Sequence, residues 1–149
     1  MKLNITKIQP EHLEDVLVIE RNSFSTPWSY YAFAYEIKND FAYYLAALST
    51  DKVIGYGGMW LILDEAHITN LAVHHNYRHR GIGRAIMQEL IRHAAYSGIT
   101  RLTLEVRPSN QAARRLYDTL GFKEEGRRRG YYQDTNEDAI IMWKNFWEE

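Results

Sequence analysis

The feature that most constrains the fold is a helix set between two strand-like segments. Glu65–Val73 (EAHITNLAV) and Arg101–Val106 (RLTLEV) both alternate as strands do. Between them, Gly81–Ser97 carries apolar side chains at helical spacing and begins within RHRGIG (Arg78–Gly83). A helix that connects two neighbouring strands of one sheet makes them parallel. The sequence therefore predicts a parallel pair, and open α/β sheets bind ligands beyond the carboxyl ends of such strands.

The other strands are joined by short turns, which predicts antiparallel neighbours around this pair. We predict a mixed α/β sheet with the order β-α-α-β-β-β-α-β-α-β-β in a single domain over residues 1–149. The remaining strands are expected at Leu3–Ile8, Phe41–Leu48, Val53–Leu63, Lys123–Tyr132 and Asp138–Phe146. One helix is expected from Pro10 to the break at Ser23–Ser29, and a second from a Ser29 cap to Ile37. A further helix is expected from a cap at Ser109 or Asn110 to Leu120, and Gly121 in a left-handed conformation would end it.

Composition excludes several classes of function. The chain has 149 residues, 46% of them hydrophobic, and a formal net charge of −1. It can form a core, and it carries no global field that would draw it to nucleic acid or to a membrane. The absence of cysteine excludes disulfides, thiolate metal sites and a cysteine nucleophile. Because no signal peptide or membrane-spanning run is apparent, we expect a soluble cytoplasmic protein.

The glycines Gly81 and Gly83 stand where the fourth strand passes into the helix. A helix N-terminus leaves N–H groups unpaired and carries partial positive charge, so glycines there let a diphosphate approach the main chain. A GxG string alone is more often a plain turn, and the dinucleotide-binding pattern fails because Ile86 stands at its third glycine position. Full positive charges at the rim would come from Arg78, Arg80 and Arg84.

Several motifs resemble one family over nearly the whole chain. NLAV (Asn70–Val73) followed by Arg-x-x-Gly-x-Gly (Arg78–Gly83) is similar to the acyl-CoA-binding signature of the GNAT superfamily of N-acetyltransferases. LEVRPSNQAARRLYDTLGF (Leu104–Phe122) resembles the second half of the same core. Together with DEAHITNLAV and GYYQDTNEDAIIMW, these motifs look most like the superfamily members that acetylate the N-terminal alanine of a small-subunit ribosomal protein.

The resemblance implies an acetyl-CoA site at the parallel pair. A bulge in the fourth strand would splay it from the fifth, and the main chain of Leu71, Ala72 and Val73 would hold the pantetheine arm in the gap. Asn110 would contact that arm further along, although its position also fits a plain helix cap. No metal is expected, because the histidines of HHNYRH have no matching ligand cluster. The diphosphate would be surrounded by His79, Arg80, Gly81, Ile82, Gly83 and Arg84.

The resemblance also implies Glu105 as general base, acting through ordered water, and Tyr117 as proton donor to the departing thiolate. LTLEV places Glu105 among apolar residues, where burial would raise its pKa. The alternatives are a structural carboxylate paired with an arginine, and His67 as the base. One alternative for Tyr117 is a tyrosine that only packs in the core. Another is a hydrogen-bond donor that keeps its proton, since a phenol with a pKa of ~10 is a weaker acid than a thiol with a pKa of ~8.5. The N–H of Val73 is the candidate oxyanion donor.

A single carboxylate suits an α-amine acceptor better than a lysine. The two amines have pKa values of ~8 and ~10.4, a difference of about 3 kcal/mol in the cost of deprotonation. This difference excludes neither acceptor. The resemblance implies a ribosomal protein or another protein N-terminus as the substrate, and we expect no direct nucleic-acid or membrane partner. The alternatives are an acetyltransferase for lysine side chains or small amines, and a non-catalytic acyl-CoA sensor.

The family's acceptor groove lies between the first two helices and the final hairpin. Arg127–Arg129 fits an exposed charged strand better than a contact to RNA or to the CoA phosphate. Aromatic side chains that line the groove, or simply pack there, are Phe24, Trp28, Tyr31, Tyr131 and Tyr132. Acids that would suit a basic peptide at its rim, or form a solvated face, are Asp40, Asp64, Glu65, Asp134, Glu137 and Asp138.

Overall fold

The computed structural model describes residues 2–147, and within this range the chain forms a seven-stranded sheet and four α-helices. The strands lie side by side in the order β1-β2-β3-β4-β5-β7-β6. None of the described helices is long and apolar enough to cross a membrane. The elements are β1 (Leu3–Lys7), α1 (Leu13–Ser23), α2 (Tyr30–Glu36), β2 (Ala42–Ser49), β3 (Lys52–Ile62), β4 (Glu65–Val73), α3 (Ile82–Tyr96), β5 (Arg101–Val106), α4 (Gln111–Thr119), β6 (Lys123–Tyr132) and β7 (Glu137–Asn145).

This architecture confirms the predicted mixed α/β fold and its element order. β4 and β5 are the parallel pair, and the other neighbouring strands are antiparallel. The predicted helix start at Pro10 is wrong, because Pro10–His12 forms a separate 3-10 turn before α1. The N–H of Gln9 donates to Nδ1 of His12 at 2.9 Å, and this local bond closes the turn before the helix begins.

β4 and β5 pair over only three residues of each strand, Glu65–His67 with Arg101–Thr103. Next along β4, the register against β3 shifts between Gly58 and Met59, which leaves Thr69 as an extra residue in β4. Such a bulge bends a strand and ends regular pairing. The two strands diverge beyond this point, which confirms the predicted splayed pair and opens a gap in the middle of the sheet.

Helices cover both faces of the sheet. On one face, α1 and α2 pack Val16 and Phe33 against Tyr44 and Tyr56 of the strands. On the other face, α3 packs against β2, β3 and β4. Two apolar layers therefore hold the strands from either side and fix the ends of β4 and β5 where they diverge. The buried side chains of α3 are Ile82, Ile86, Met87, Leu90 and Ala94.

A test of this packing is the replacement Gly58→Ala in β3. The added methyl group would overlap the ring of Tyr44, which is only 2% exposed. Overpacking of this kind costs about 1–3 kcal/mol, so we expect the free energy of unfolding in urea to fall by about that amount. Gly126→Ala in β6 is the matched control, because within residues 2–147, apart from its own chain neighbours, no heavy atom lies within 4 Å of its added methyl group. Equal stability of the two variants would contradict this packing.

Candidate active site

A cavity of about 640 Å³ opens where β4 and β5 diverge. The segment between α1 and α2 forms one wall, and the β6–β7 hairpin forms the other. Glu105 on β5 and Tyr117 on α4 both line the cavity. The structure therefore brings the two side chains predicted for catalysis into one space, at the end of the parallel pair where ligands of open sheets bind.

Glu105 is held beside His67, with Nε2 of the imidazole 3.7 Å from Oε1 of the carboxylate. The Glu105 side chain is 19% exposed. The neighbouring His67 lowers the pKa of Glu105, and this effect outweighs burial, which acts in the opposite direction. The expectation of a raised pKa is therefore wrong, and the alternative of a carboxylate paired with an arginine does not hold either, because the direct partner is His67. Arg128 and Tyr131 lower the pKa of Glu105 further, by smaller amounts.

His67 is itself held in place by aromatic packing. The ring of Trp60 meets the imidazole edge to face, with 6.0 Å between ring centres. Nε1 of Trp60 in turn donates a hydrogen bond to Oε2 of Glu36 at 2.8 Å. Side chains of β3, β4 and β5 thus lie in contact across the cavity floor, and they hold the Glu105 carboxylate next to an imidazole.

Tyr117 lies on the buried side of α4 and is 8% exposed. Its ring packs edge to face against Phe122, with 5.9 Å between centres. Burial raises the pKa of Tyr117, so its hydroxyl keeps its proton and can donate a hydrogen bond. Among the described residues, no side chain or main-chain group takes up that hydrogen bond.

The N-terminus of α3 begins at the first glycine of the pair. Gly81 is the N-cap residue with φ of 80°, a left-handed conformation that favours glycine. Within residues 2–147, no side chain caps this helix end, so the N–H groups of its first turn stay available to an anion. The Ile82 side chain is buried in the core and only 2% exposed. Ile82 can therefore contact a diphosphate only through its main chain.

The arginines around this turn have different partners. Nη2 of Arg84 donates to Oγ1 of Thr119 on α4 at 2.6 Å. Arg80 lies over the ring of Tyr77, 5.4 Å from its centre. His79 precedes Arg80 in a left-handed conformation with φ of 64°. Arg80 and Arg84 thus flank the uncapped helix end, in keeping with the predicted positive rim.

β4 presents an open edge along the gap. Leu71, Ala72 and Val73 pair with β3 on one side, but the described pairing with β5 has already ended at His67. Leu71 lines the cavity. Asn110 also lines it, while its Oδ1 accepts the N–H of Ala113 at 3.2 Å, so the helix-cap interpretation of Asn110 is confirmed. Its contact with a pantetheine arm stays a prediction.

The aromatic residues expected in the acceptor groove divide into two groups. Tyr31 is 81% exposed, stacks edge to face on Tyr30 and lies outside the cavity, because α2 turns Phe33 toward the core instead. The expectation that Tyr31 lines the groove is therefore not supported by its position. The side chains that do line the cavity are Phe24, Trp28, Tyr131 and Tyr132.

A charged network closes one end of the cavity. Arg107, directly after β5, donates two hydrogen bonds to Asp134 in the β6–β7 hairpin, both at 2.9 Å. Oγ of Ser25, before α2, donates to the same carboxylate at 2.6 Å. Arg107 and Ser25 lower the pKa of Asp134 to about 2. Arg107 also stacks over Tyr132 at 4.0 Å, and burial raises the pKa of that tyrosine to about 12.

The other predicted charged residues lie away from the cavity or already have partners. Asp64 and Glu65 lie at the far end of β4, where the Asp64 carbonyl accepts the N–H of Thr100 at 2.8 Å. Arg127 pairs with Glu124 at 3.2 Å on the exposed face of the edge strand β6. Among the six acids expected at the rim, only Asp134 lines the cavity.

Sequence reasoning missed Glu20, Trp60 and Arg107 as lining residues. Glu20 is 2% exposed, and Oε2 of its carboxylate accepts the N–H of Trp28 at 2.8 Å. The available signal was its position in VLVIE, next to the apolar side of α1. Arg107 stands inside LEVRPSN, directly after β5, where a side chain meets the open end of the sheet.

The pairing of Glu105 with His67 predicts a measurable pKa change. In His67→Gln the main influence that lowers the Glu105 pKa is gone, while burial still raises it. We therefore expect the Glu105 carboxyl, followed by ¹³C NMR, to titrate at higher pH than in the wild type. His93→Gln is the control, because His93 stacks on Tyr43 instead. An unchanged Glu105 titration in His67→Gln would show that the pairing is absent in solution.

Three comparisons with known proteins agree with this geometry. Residues 13–122 match the family model described as the Acetyltransferase (GNAT) family. A ribosomal protein bS18-alanine N-acetyltransferase of Escherichia coli K12 is 39% identical over 142 residues, which are 93% of this chain and 94% of the relative. The crystal structure of the ribosomal-protein-S18-alanine N-acetyltransferase from Escherichia coli has a TM-score of 0.90 at 34% identity, and the match covers 99% of this chain and 96% of that one.

A more distant likeness concerns the fold alone. The crystal structure of PaiA N-acetyltransferase from Thermoplasma acidophilum, in complex with coenzyme A, has a TM-score of 0.83 at 23% identity over 98% of this chain and 100% of that one. The family model covers most of the chain, and the relative is well above 30% identity over nearly all of it. The chain belongs to the GNAT family of acetyltransferases.

Proposed function

We propose that this protein transfers the acetyl group of acetyl-CoA to the N-terminal α-amine of a protein, with the N-terminal alanine of ribosomal protein bS18 as acceptor. The observation that carries the proposal is the cavity that Glu105 and Tyr117 both line, at the strand β4 whose Val73 side chain lies next to Gly83 in the first turn of α3. The bS18-alanine acetyltransferase of Escherichia coli matches over nearly the whole chain, which supports the same acceptor. Because the proposed acceptor is a ribosomal protein, we also propose that the protein acts in the cytoplasm.

The residues of β4 and α3 fit acetyl-CoA, which supplies the thioester that the amine attacks. β5 does not pair with Leu71–Val73, so this main chain offers hydrogen-bonding groups to the amides of a pantetheine arm, except for the Val73 carbonyl, which already accepts Nε of Arg78 at 3.1 Å. The first N–H groups of α3, together with Arg80, offer a positive cradle to the diphosphate. Coenzyme A bound to PaiA, which shares this fold, supports the assignment.

Glu105 is the general base in this proposal. Its lowered pKa keeps the carboxylate ionised at neutral pH, ready to accept a proton directly or through water. About a tenth of an α-amine with a pKa of ~8 is already neutral at pH 7, so the demand on this base is modest. Deprotonation of a lysine would cost roughly 3 kcal/mol more than deprotonation of an α-amine. This difference favours an N-terminal acceptor.

Tyr117 stabilises the departing thiolate by donating a hydrogen bond. Burial raises the pKa of Tyr117, which makes complete proton transfer to a thiolate of pKa ~8.5 less favourable than for an exposed phenol. A hydrogen bond that forms as charge develops on sulfur needs no such transfer, and bonds to charged groups contribute about 1.5–3 kcal/mol. Tyr117 therefore acts mainly as a donor, with the proton retained on its oxygen.

Mass spectrometry of acceptor peptides tests the proposed reaction. We expect incubation with acetyl-CoA to add one acetyl group to a peptide with the N-terminal sequence of bS18. Two controls, a lysine peptide with a blocked N-terminus and a polyamine, are expected to react at least ~100-fold more slowly, in line with the difference in amine pKa. Equal or faster acetylation of either control, or no acetylation of the bS18 peptide, would overturn the proposed acceptor.

Glu105→Gln tests the base. We expect kcat/KM to fall about 10²- to 10⁴-fold, most strongly at low pH, where less of the amine is neutral, while the Kd for acetyl-CoA stays unchanged. Glu65→Gln is the control, because Glu65 pairs with Arg101 away from the cavity. A pH–rate profile that is the same in Glu105→Gln and wild type would remove Glu105 from the mechanism.

Tyr117→Phe tests the hydrogen bond to sulfur. We expect kcat to fall by about 10- to 100-fold, corresponding to the 1.5–3 kcal/mol of such a bond, with little change in the melting temperature. Tyr96→Phe provides the control, since Tyr96 is 94% exposed at the end of α3. Wild-type kcat in Tyr117→Phe would assign Tyr117 a packing role only.

A further inference from the structure

Glu20 is a buried carboxylate that the proposed mechanism does not use. It lies near the end of α1, is 2% exposed and borders the cavity. Its Oε1 accepts a hydrogen bond from the Tyr56 hydroxyl, and its Oε2 accepts the N–H of Trp28 at 2.8 Å. Both donors are neutral. Among residues 2–147, no cationic group lies within ion-pair distance of Glu20.

A buried carboxylate without a cation is energetically costly, because it has lost its hydration without gaining an opposite charge. Its two hydrogen bonds use about half of the acceptor capacity of a carboxylate. Burial and the negative charge of Glu20 raise the pKa of Tyr56, so this tyrosine stays a neutral donor. The site around Glu20 is therefore short of one positive charge.

The other carboxylates that line the cavity already have partners. Glu105 lies beside His67 at 3.7 Å, and Asp134 holds Arg107 through two bonds of 2.9 Å. Within the described part of the chain, Glu20 is thus the lining carboxylate with capacity left for a cation that comes from outside. An acceptor amine enters this same cavity under the proposed function.

We propose that Glu20 binds the terminal ammonium group of the acceptor as it enters the cavity. This inference rests on the proposed function, in which the acceptor is an α-amine, and such an amine is about nine-tenths protonated at pH 7. A nearby carboxylate favours the charged form of an amine, so Glu20 acts on binding and leaves deprotonation to Glu105. Its bond to Trp28 also fixes a residue of the adjacent cavity wall.

A binding experiment tests this role apart from turnover. With saturating CoA present, calorimetry compares the bS18 N-terminal peptide with its des-amino analogue, in which a propionyl group replaces the first alanine. We expect the wild type to bind the ammonium peptide at least ~10-fold more tightly. Glu20→Gln retains groups able to bond Trp28 and Tyr56 but removes the charge. It should reduce the preference to about twofold or less and leave the affinity for the analogue unchanged.

Tyr56→Phe serves as the matched control, because it removes a hydrogen-bond partner of Glu20 but keeps the charge, and it should retain the preference. Three results would overturn the proposal: no preference in the wild type, an undiminished preference in Glu20→Gln, or an equal loss of affinity for both peptides in Glu20→Gln. Failure of the proposed function is seen separately, as absent acetyl transfer to the bS18 peptide, a result that does not alter the measured binding preference.

Discussion

The divergence of β4 from β5 is the constraint on which the site depends. The strands pair for three residues, a bulge at Thr69 follows, and no strand pairs with Leu71–Val73 on the side of the gap, where the Val73 carbonyl accepts a hydrogen bond from Nε of Arg78 at 3.1 Å. Unpaired main-chain groups in the middle of a sheet are costly unless something satisfies them. A ligand with amides along its length meets that need, and the same gap admits the side chains of Glu105 and Tyr117.

The cavity and the neighbouring end of α3 differ in their electrostatics. The uncapped end of α3 and its flanking arginines provide positive potential where a diphosphate would lie. Glu105 stays ionised because His67 opposes the effect of burial, whereas Tyr117 stays protonated because burial acts on it unopposed. A carboxylate and a protonated phenol thus face one space, and in the proposed reaction the first accepts a proton and the second donates a hydrogen bond.

Local patterns in the sequence were sufficient for the fold and for part of the site. The strand–helix–strand order predicted the parallel pair, because a crossover helix between two neighbouring strands makes them parallel. Gly121 ends α4 in a left-handed conformation with φ of 94°, as expected. The Glu105 pKa was predicted in the wrong direction because its main partner lies on another strand. The exposure of Tyr31 and the burial of Glu20 depend on how α2 and α1 are rotated about their axes against the sheet. The spacing of apolar residues in such short helices does not determine that rotation.

Hydrogen exchange of the main-chain amides, measured with and without acetyl-CoA, tests the central claim most directly. If the cofactor occupies the gap and the end of α3, exchange slows on binding at residues 71–73 and 82–84, while the far end of β4 near Glu65 is unchanged. Slowed exchange elsewhere, with residues 71–73 and 82–84 unaffected by acetyl-CoA, would contradict the account.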